Sequence, residues 1–374
     1  MKNVVGICNL HDCPHLGDLT MRRPLGATTF LGRYGLMDFT LSNFSNSGID
    51  KVFILAEEHV HSVRNHIQSG QVWINNTKLG YQKVLVNENL LGVSKFNTDV
   101  GNLLANERQV SAERNNYFIV AQTFMIMSYD YRKLYEDHID SGADVTILCK
   151  HIKNNDKEKM FYNCDVLDID ENGFVKGMST NTCRKKEVDI SLESFIFSPG
   201  VLKQICYETK DVSQLYSIRK MLGYFIEKGR FKVRALFTDR HVLPFLSFDH
   251  YIRHSTSLLK YEERTKLFME DWPIYTTTHN TPPALYGEHA IVSNSFIANG
   301  CIIKGKVKNS IISRDVVIEE GAVVEDSIIF TESVVGENVK VKYVIADKRV
   351  SMTEMKKLVG EKDKYLYINQ GEKV

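Results

Sequence analysis

The chain has 374 residues, 43% hydrophobic and 25% charged, with 47 Lys and Arg against 46 Asp and Glu for a net charge of +1. That balance argues against a large nucleic-acid footprint, the length suits two domains, and no apolar run nears the roughly 20 residues that span a bilayer. The seven cysteines (8, 13, 149, 164, 183, 206 and 301) form no C-x-x-C pair, and the first residues turn polar too soon for a secretory signal. Reduced thiols in a cytoplasmic protein are expected, with no zinc site or disulfide framework.

Along the first 250 residues, strand and helix patterns alternate. Val4–Cys8 reads as a short apolar strand, followed by helical spacing over Phe39–Ser47 and a strand over Asp50–Ala56. Helical patterns follow at His59–Ser69 and Leu103–Arg114, a strand at Tyr117–Ala121, a helix at Tyr131–Ser141 and a strand at Asp144–Cys149. This alternation predicts a doubly wound, mostly parallel α/β sheet, with ligands at the C-terminal strand ends. Asp168–Val175, with Asn172-Gly173 at its turn, predicts a hairpin inserted in that sheet.

From about residue 288 the pattern changes. Ile311, Val317, Val323, Ile329, Val335 and Val341 recur at intervals of six, and Ile291, Ile297 and Ile303 keep the same interval two residues out of step. Neither a helix nor an ordinary strand produces this period; a left-handed parallel β-helix of hexapeptide repeats does. The repeating aliphatics are expected to stack inward. Asn294, Asn299, Gly300, Gly305, Gly321, Gly336 and Asn338 are expected at the corners. Residues 352–359 read as a capping helix and 364–368 as a closing strand. The domains are thus 1–250, a linker and helix over 251–287, and a β-helix with its cap over 288–374. Such a coil has open ends and flat faces suited to assembly or regulation. Acyl transfer is the competing reading of hexapeptide coils, but His289 is the one histidine from 281 onward.

The run Arg33-Tyr34-Gly35-Leu36-Met37-Asp38-Phe39-Thr40-Leu41-Ser42-Asn43 resembles bacterial glucose-1-phosphate adenylyltransferase. So do Asp130-Tyr131, Gly142 to Thr146 and Asp271-Trp272-Pro273-Ile274-Tyr275-Thr276, in the family's order. The resemblance implies a nucleotidyltransferase domain that makes ADP-glucose from ATP and glucose 1-phosphate, and a β-helix domain used in assembly and effector control. It also implies a glycine loop, a basic residue and two Mg²⁺-binding aspartates.

Those residues are absent. Aligned on Leu19-Thr20, the loop's three glycines fall on Leu10, His11 and Cys13, its arginine on His15, and the following lysine on Leu25. Side chains bar a backbone from close approach to phosphate, and Pro14 removes a donor. The first metal aspartate falls on Phe124, the second near His254, and the sugar-phosphate Glu-Lys-Pro on Met178-Ser179-Thr180-Asn181. A substrate-contacting stretch becomes Thr98-Asp99-Val100-Gly101-Asn102. No catalytic or metal-binding residue is therefore assigned, and Mg²⁺ and ATP are expected only in a catalytic partner.

The pattern is similar to GlgD-type subunits, for which the family implies hetero-oligomers, tetramers by expectation, with a catalytic GlgC-type homologue. Arg22 and Arg23 align with a basic pair near the family's effector site. With Arg33, Arg64 and His66 they are the candidates for holding a phosphorylated effector. An active sugar-phosphate nucleotidyltransferase with a rebuilt site is the alternative.

Overall fold

The computed structural model describes residues 1, 3–88, 97–154, 159–213 and 215–374. Its first half is organised by one nine-stranded sheet. In chain order the strands are β1 (Val4–Asn9), β2 (Lys51–Ala56), β3 (Tyr81–Val86), β4 (Tyr117–Gln122), β5 (Val145–Lys153), β6 (Asp165–Ile169), β7 (Val175–Thr180), β8 (Glu187–Phe197) and β9 (Val233–Phe237). β4, β1, β2 and β3 lie side by side and parallel. β8 runs antiparallel between β4 and β5, and β9 pairs parallel with β5 at the edge. The expected hairpin is present as β6 and β7, attached through β6 to β8. Its turn requires Gly173, whose φ is +81°.

β1 is buried along its whole length, as its unbroken apolar run requires of a strand covered on both faces. The covering helices include α1 (Met37–Asn46), α2 (Val60–Ile67), α3 (Asp99–Ala105), α4 (Glu107–Ser111) and α5 (Tyr131–Ser141). Further along come α6 (Val201–Val212), α7 (Ile218–Glu227), α8 (Phe248–Ser257) and α9 (Tyr261–Leu267). The single helix expected over 103–114 is instead α3 and α4. Asn106 separates them, its side-chain amide donating to the Asn102 carbonyl at 3.0 Å.

After α9 the chain returns to α1. Trp272 Nε1 donates to Asn43 Oδ1 at 2.8 Å, the Tyr275 amide donates to Ser42 Oγ at 2.8 Å, and Asn46 Nδ2 donates to the Pro273 carbonyl at 2.9 Å. Two runs about 230 residues apart in the chain thus form one hydrogen-bonded seam.

From Leu285 the chain winds through three parallel five-stranded sheets, the walls of a left-handed β-helix. The winding corrects the sequence reading in two respects. Paired strands are mostly 17 residues apart, as in Ile311–Ile328–Ile345 and Val317–Val334–Ser351, so one wall in each turn is a residue short. The inward stack is therefore Ile312, Ile318, Val324, Ile329, Val335, Val341, Ala346, Met352 and Leu358, all in the coil's own core. Ile311 belongs instead to the core of the first domain, together with Ile328, Phe330 and Ile345. Val317 and Val323 are half-buried. Moreover, residues 352–359 form no helix: Met352 and Leu358 continue the stack in short strands, and Leu366–Ile368 adds the last strand of the third wall.

Corners turn on left-handed residues stacked in register. Asn294, Asn309, Asp326 and Tyr343 form one such series, and Gly300, Asp315, Glu332 and Arg349 another. Asn309 receives a bond from Asn294 and donates to Asp326. Gly300 has φ +77°, and a Cβ there would lie 2.0 Å from Asp315 Oδ1. Gly300→Ala is expected to cost about 1–2 kcal/mol through the left-handed backbone alone, read as a lower unfolding midpoint in urea.

Candidate functional sites

The sheet's connections reverse direction between β1 and β4, and the loops beyond these strand ends are the usual ligand crevice of such folds. Here those loops are filled from within. Leu10, directly after β1, is buried at 2% exposure against Gly26, and Leu25 (2%) and Phe124 (3%) belong to the same apolar cluster. His11 is 1% exposed. Its Nδ1–H donates to the Asn97 carbonyl at 2.8 Å, and its Nε2 accepts from Asn102 Nδ2 at 3.0 Å. The ring thereby ties the loop to α3, and burial lowers its pKa to about 4. Asp99 is likewise internal, accepting from Asn9 Nδ2 and from the Ile218 amide, and burial pushes its carboxyl upward. His15 is exposed, but its Nδ1 accepts from its own loop at the Gly17 amide.

Two carboxylates sharing one Mg²⁺ must converge within a few ångströms. The segment beside Phe124 is Leu243–Phe245: Pro244 pairs with Met125, and the Phe245 amide donates to the Phe124 carbonyl at 2.8 Å. The segment facing Phe124 is thus Pro244–Phe245, whereas His254, expected near the second metal position, lies behind it in α8. His254 is buried in α8, its Nε2 bonded to the Pro244 carbonyl at 2.9 Å. Phenylalanine and proline side chains carry no ligand atom, so these positions do not fit Mg²⁺. Among the described residues, no group of three His, Cys, Asp or Glu side chains is placed to hold a metal ion.

A second cavity, about 500 Å³, lies where α2 and the 22–34 loop meet the corners of the coil. Arg22, Arg23, Arg33 and His66 line it, joined by His59, His61, His279, Arg314, Lys348 and Arg349. Six Lys and Arg residues face two carboxylates, Asp315 and Glu332. The charges press on one another. Burial, then Arg33, lowers the pKa of Arg314; burial, then Arg23, lowers that of Lys348; and burial, then Arg314, lowers that of His279. A dianion would relieve this repulsion.

The candidates differ in their commitments. Arg22 and Arg33 are exposed at the cavity. His66 Nε2 lies 2.5 Å from the buried Asp38 Oδ1. Arg64 is exposed on α2 outside the lining. Arg23 is 2% exposed and donates from Nη2 to both oxygens of Asp347 at 2.7 and 2.6 Å. Tyr367 donates to the same carboxylate at 2.8 Å. Expected on a phosphate, Arg23 instead clasps the coil, with its buried Nη1 unpartnered among the described residues. Sequence reading missed Arg314, Lys348 and Arg349. Their shared corner becomes visible only when the coil is spaced by 17, since 314, 331 and 348, like 315, 332 and 349, then superpose.

This architecture defines a class: a nucleotidyltransferase body joined to a hexapeptide coil. The nucleotidyl transferase family model matches residues 14–241, and the GlmU-like C-terminal hexapeptide model matches residues 282–365. The chain is 30% identical to glucose-1-phosphate adenylyltransferase of Fervidobacterium nodosum, over 91% of this chain and 81% of that one. It is 28% identical to glucose-1-phosphate adenylyltransferase 2 of Vibrio cholerae, over 90% and 87%. The Bacillus anthracis enzyme is 26% identical, over 88% and 87%. The chain belongs to the glucose-1-phosphate adenylyltransferase family.

Two outcomes follow from these sites. Asp347→Ala strands the Arg23 charge and is expected to cost about 3–5 kcal/mol in urea unfolding, whereas Arg23→Met with Asp347→Leu recovers most of it. The second concerns His11, His138 and His254, which burial lowers to about 4, 4 and 3. Their folded pKa values lie below the unfolded value of about 6.5, so their contribution is complete above that pH and lost as pH falls toward 4. Melting temperature should fall steeply from pH 6.5 to 4.5, and less steeply in His254→Gln.

Proposed function

We propose that this chain is a regulatory, non-catalytic subunit that assembles with a catalytic glucose-1-phosphate adenylyltransferase and modulates ADP-glucose synthesis for glycogen formation. The observation that carries this reading is the filled crevice: Leu10, Leu25 and Phe124 pack in one apolar cluster and Pro244 pairs with Met125, at positions where the resemblance implies phosphate- and metal-binding groups. Nucleotidyl transfer needs phosphate-facing donors, positive charge and metal carboxylates together. Losing all three is not repaired by one neighbour.

The basic cavity between the domains supports the regulatory half of the proposal. Its excess charge suits a phosphorylated small molecule, and it touches both the coil and α2, so a bound anion would bias how the two domains sit together. The partner is a catalytic homologue in a hetero-oligomer, a tetramer by analogy with the family. The alternative, an active enzyme with a rebuilt site, draws on the open cleft that remains beside the filled crevice. It requires Mg²⁺-dependent nucleotide binding.

Assayed alone, the chain is expected to make ADP-glucose at background rate. Mixed with a catalytic relative, it should change that enzyme's rate or effector response. Arg33→Gln with Arg314→Gln should weaken the response to a phosphorylated effector by about tenfold, the worth of one charge-assisted contact pair. Robust turnover by the chain alone would overturn the proposal.

A further inference from the structure

Four of the chain's 12 histidines, His59, His61, His66 and His279, line the basic cavity between the domains. Histidine is the side chain whose ordinary titration falls between about pH 5 and 8. Grouped beside six Lys and Arg residues, these rings give the cavity a charge that can vary. The four are not equivalent. His66 Nε2 lies 2.5 Å from Asp38 Oδ1, and His59 Nε2 lies 3.5 Å from Glu58 Oε1. His61 and His279 have no carboxylate within ion-pair distance among the described residues.

The segment that carries His279 is pinned between the domains. On one side Thr277 Oγ1 donates to the His66 carbonyl of α2 at 2.6 Å; on the other, Arg314 Nη2 of the coil donates to the Thr277 carbonyl at 3.4 Å. The His279 ring opens on the cavity, facing Arg314, Asp315 and Lys348 from the coil and His66 from α2. Partial burial, then Arg314, holds its pKa below the ordinary histidine value, and Asp315 offsets this only in part. The positive wall thus keeps the ring from protonating.

We propose that binding of a doubly charged anion in this cavity takes up a proton from solvent, with His279 as its acceptor, so that the cavity holds an anion more tightly as pH falls. This rests on the effector reading of the cavity and adds the proton as a second ligand of the same site. The sign follows from the charges. An anion beside the ring offsets Arg314 and Lys348 and raises the His279 pKa from its lowered value. The bound form therefore holds more protons than the free form, and affinity rises as pH falls through the interval between the two values. Protonation also makes both ring nitrogens donors, which suits an oxyanion that can only accept. The response to a phosphorylated effector deepens accordingly at lower pH.

Phosphate esters themselves titrate near about pH 6, so sulfate, a dianion throughout this range, isolates the protein's proton. The test is calorimetric titration of the full chain with sodium sulfate at constant ionic strength, in two non-phosphate buffers of different ionisation enthalpy at pH 7. About half a proton or more should be taken up per sulfate bound, with affinity about tenfold higher at pH 6 than at pH 8. His279→Gln should lose most of the uptake and most of that gain. Sulfate binding without proton uptake would overturn this inference and leave the anion site standing. Uptake undiminished in His279→Gln would also overturn it, since the proton would then land elsewhere. No sulfate binding at either pH 6 or pH 8 would overturn the effector reading as well.

Discussion

The seating of the coil on the first domain governs everything between them. Ile311, Ile328 and Ile345 form an outward stripe on one wall, and with Phe330 they enter the apolar cluster of the nucleotidyltransferase-like body. Beside that stripe Arg23 and Asp347 are both almost fully buried, a pair that gains its geometry from two short bonds and the Tyr367 hydroxyl. Apolar burial supplies most of the attraction; the ion pair is intolerant of mismatch, so it fixes register more than it adds stability. With that register set, the corner bearing Arg314, Lys348 and Arg349 faces α2 and the 22–34 loop, and the basic cavity exists.

The filled crevice and the open cleft are neighbours of opposite polarity. In the crevice, Leu10, Leu25 and Phe124 pack together in one apolar cluster. In the cleft, Glu193 of β8 occupies a left-handed position, its buried carboxyl pushed upward by burial and 3.6 Å from Arg219.

The basic cavity joins groups from both domains, so any anion there interacts with their relative placement as well as with its own ligands. Arg23 illustrates the coupling, since the same guanidinium holds the coil by Nη2 and reaches the cavity lining. Like-charge pressure among Arg33, Arg314, Lys348 and His279 is relieved only by a counter-charge. The cavity therefore carries an excess of positive charge that a bound anion would offset.

Much of this was legible in the sequence. Strand and helix periods located β1, β2, β4, β5, α1, α2 and α5, because each buries a face whose spacing the chain must encode locally. The six-residue period announced a coil, and the apolar residues at 10, 25 and 124 take their places in one buried cluster beyond the strand ends. What the sequence left open depends on distant parts meeting. The 17-residue winding, with its short wall, moved Ile311 from the coil's interior to the domain contact. It also turned residues 352–359 from an expected helix into two more strands. Pairing of Pro244 with Met125, not spacing along the chain, set Pro244–Phe245 rather than His254 beside Phe124. Arg23 read as a phosphate ligand because nothing near it in the chain shows Asp347, 324 residues away. His279 carried no motif at all; its place before Arg314 and Lys348 depends on how the coil meets α2, and only the tertiary structure creates it.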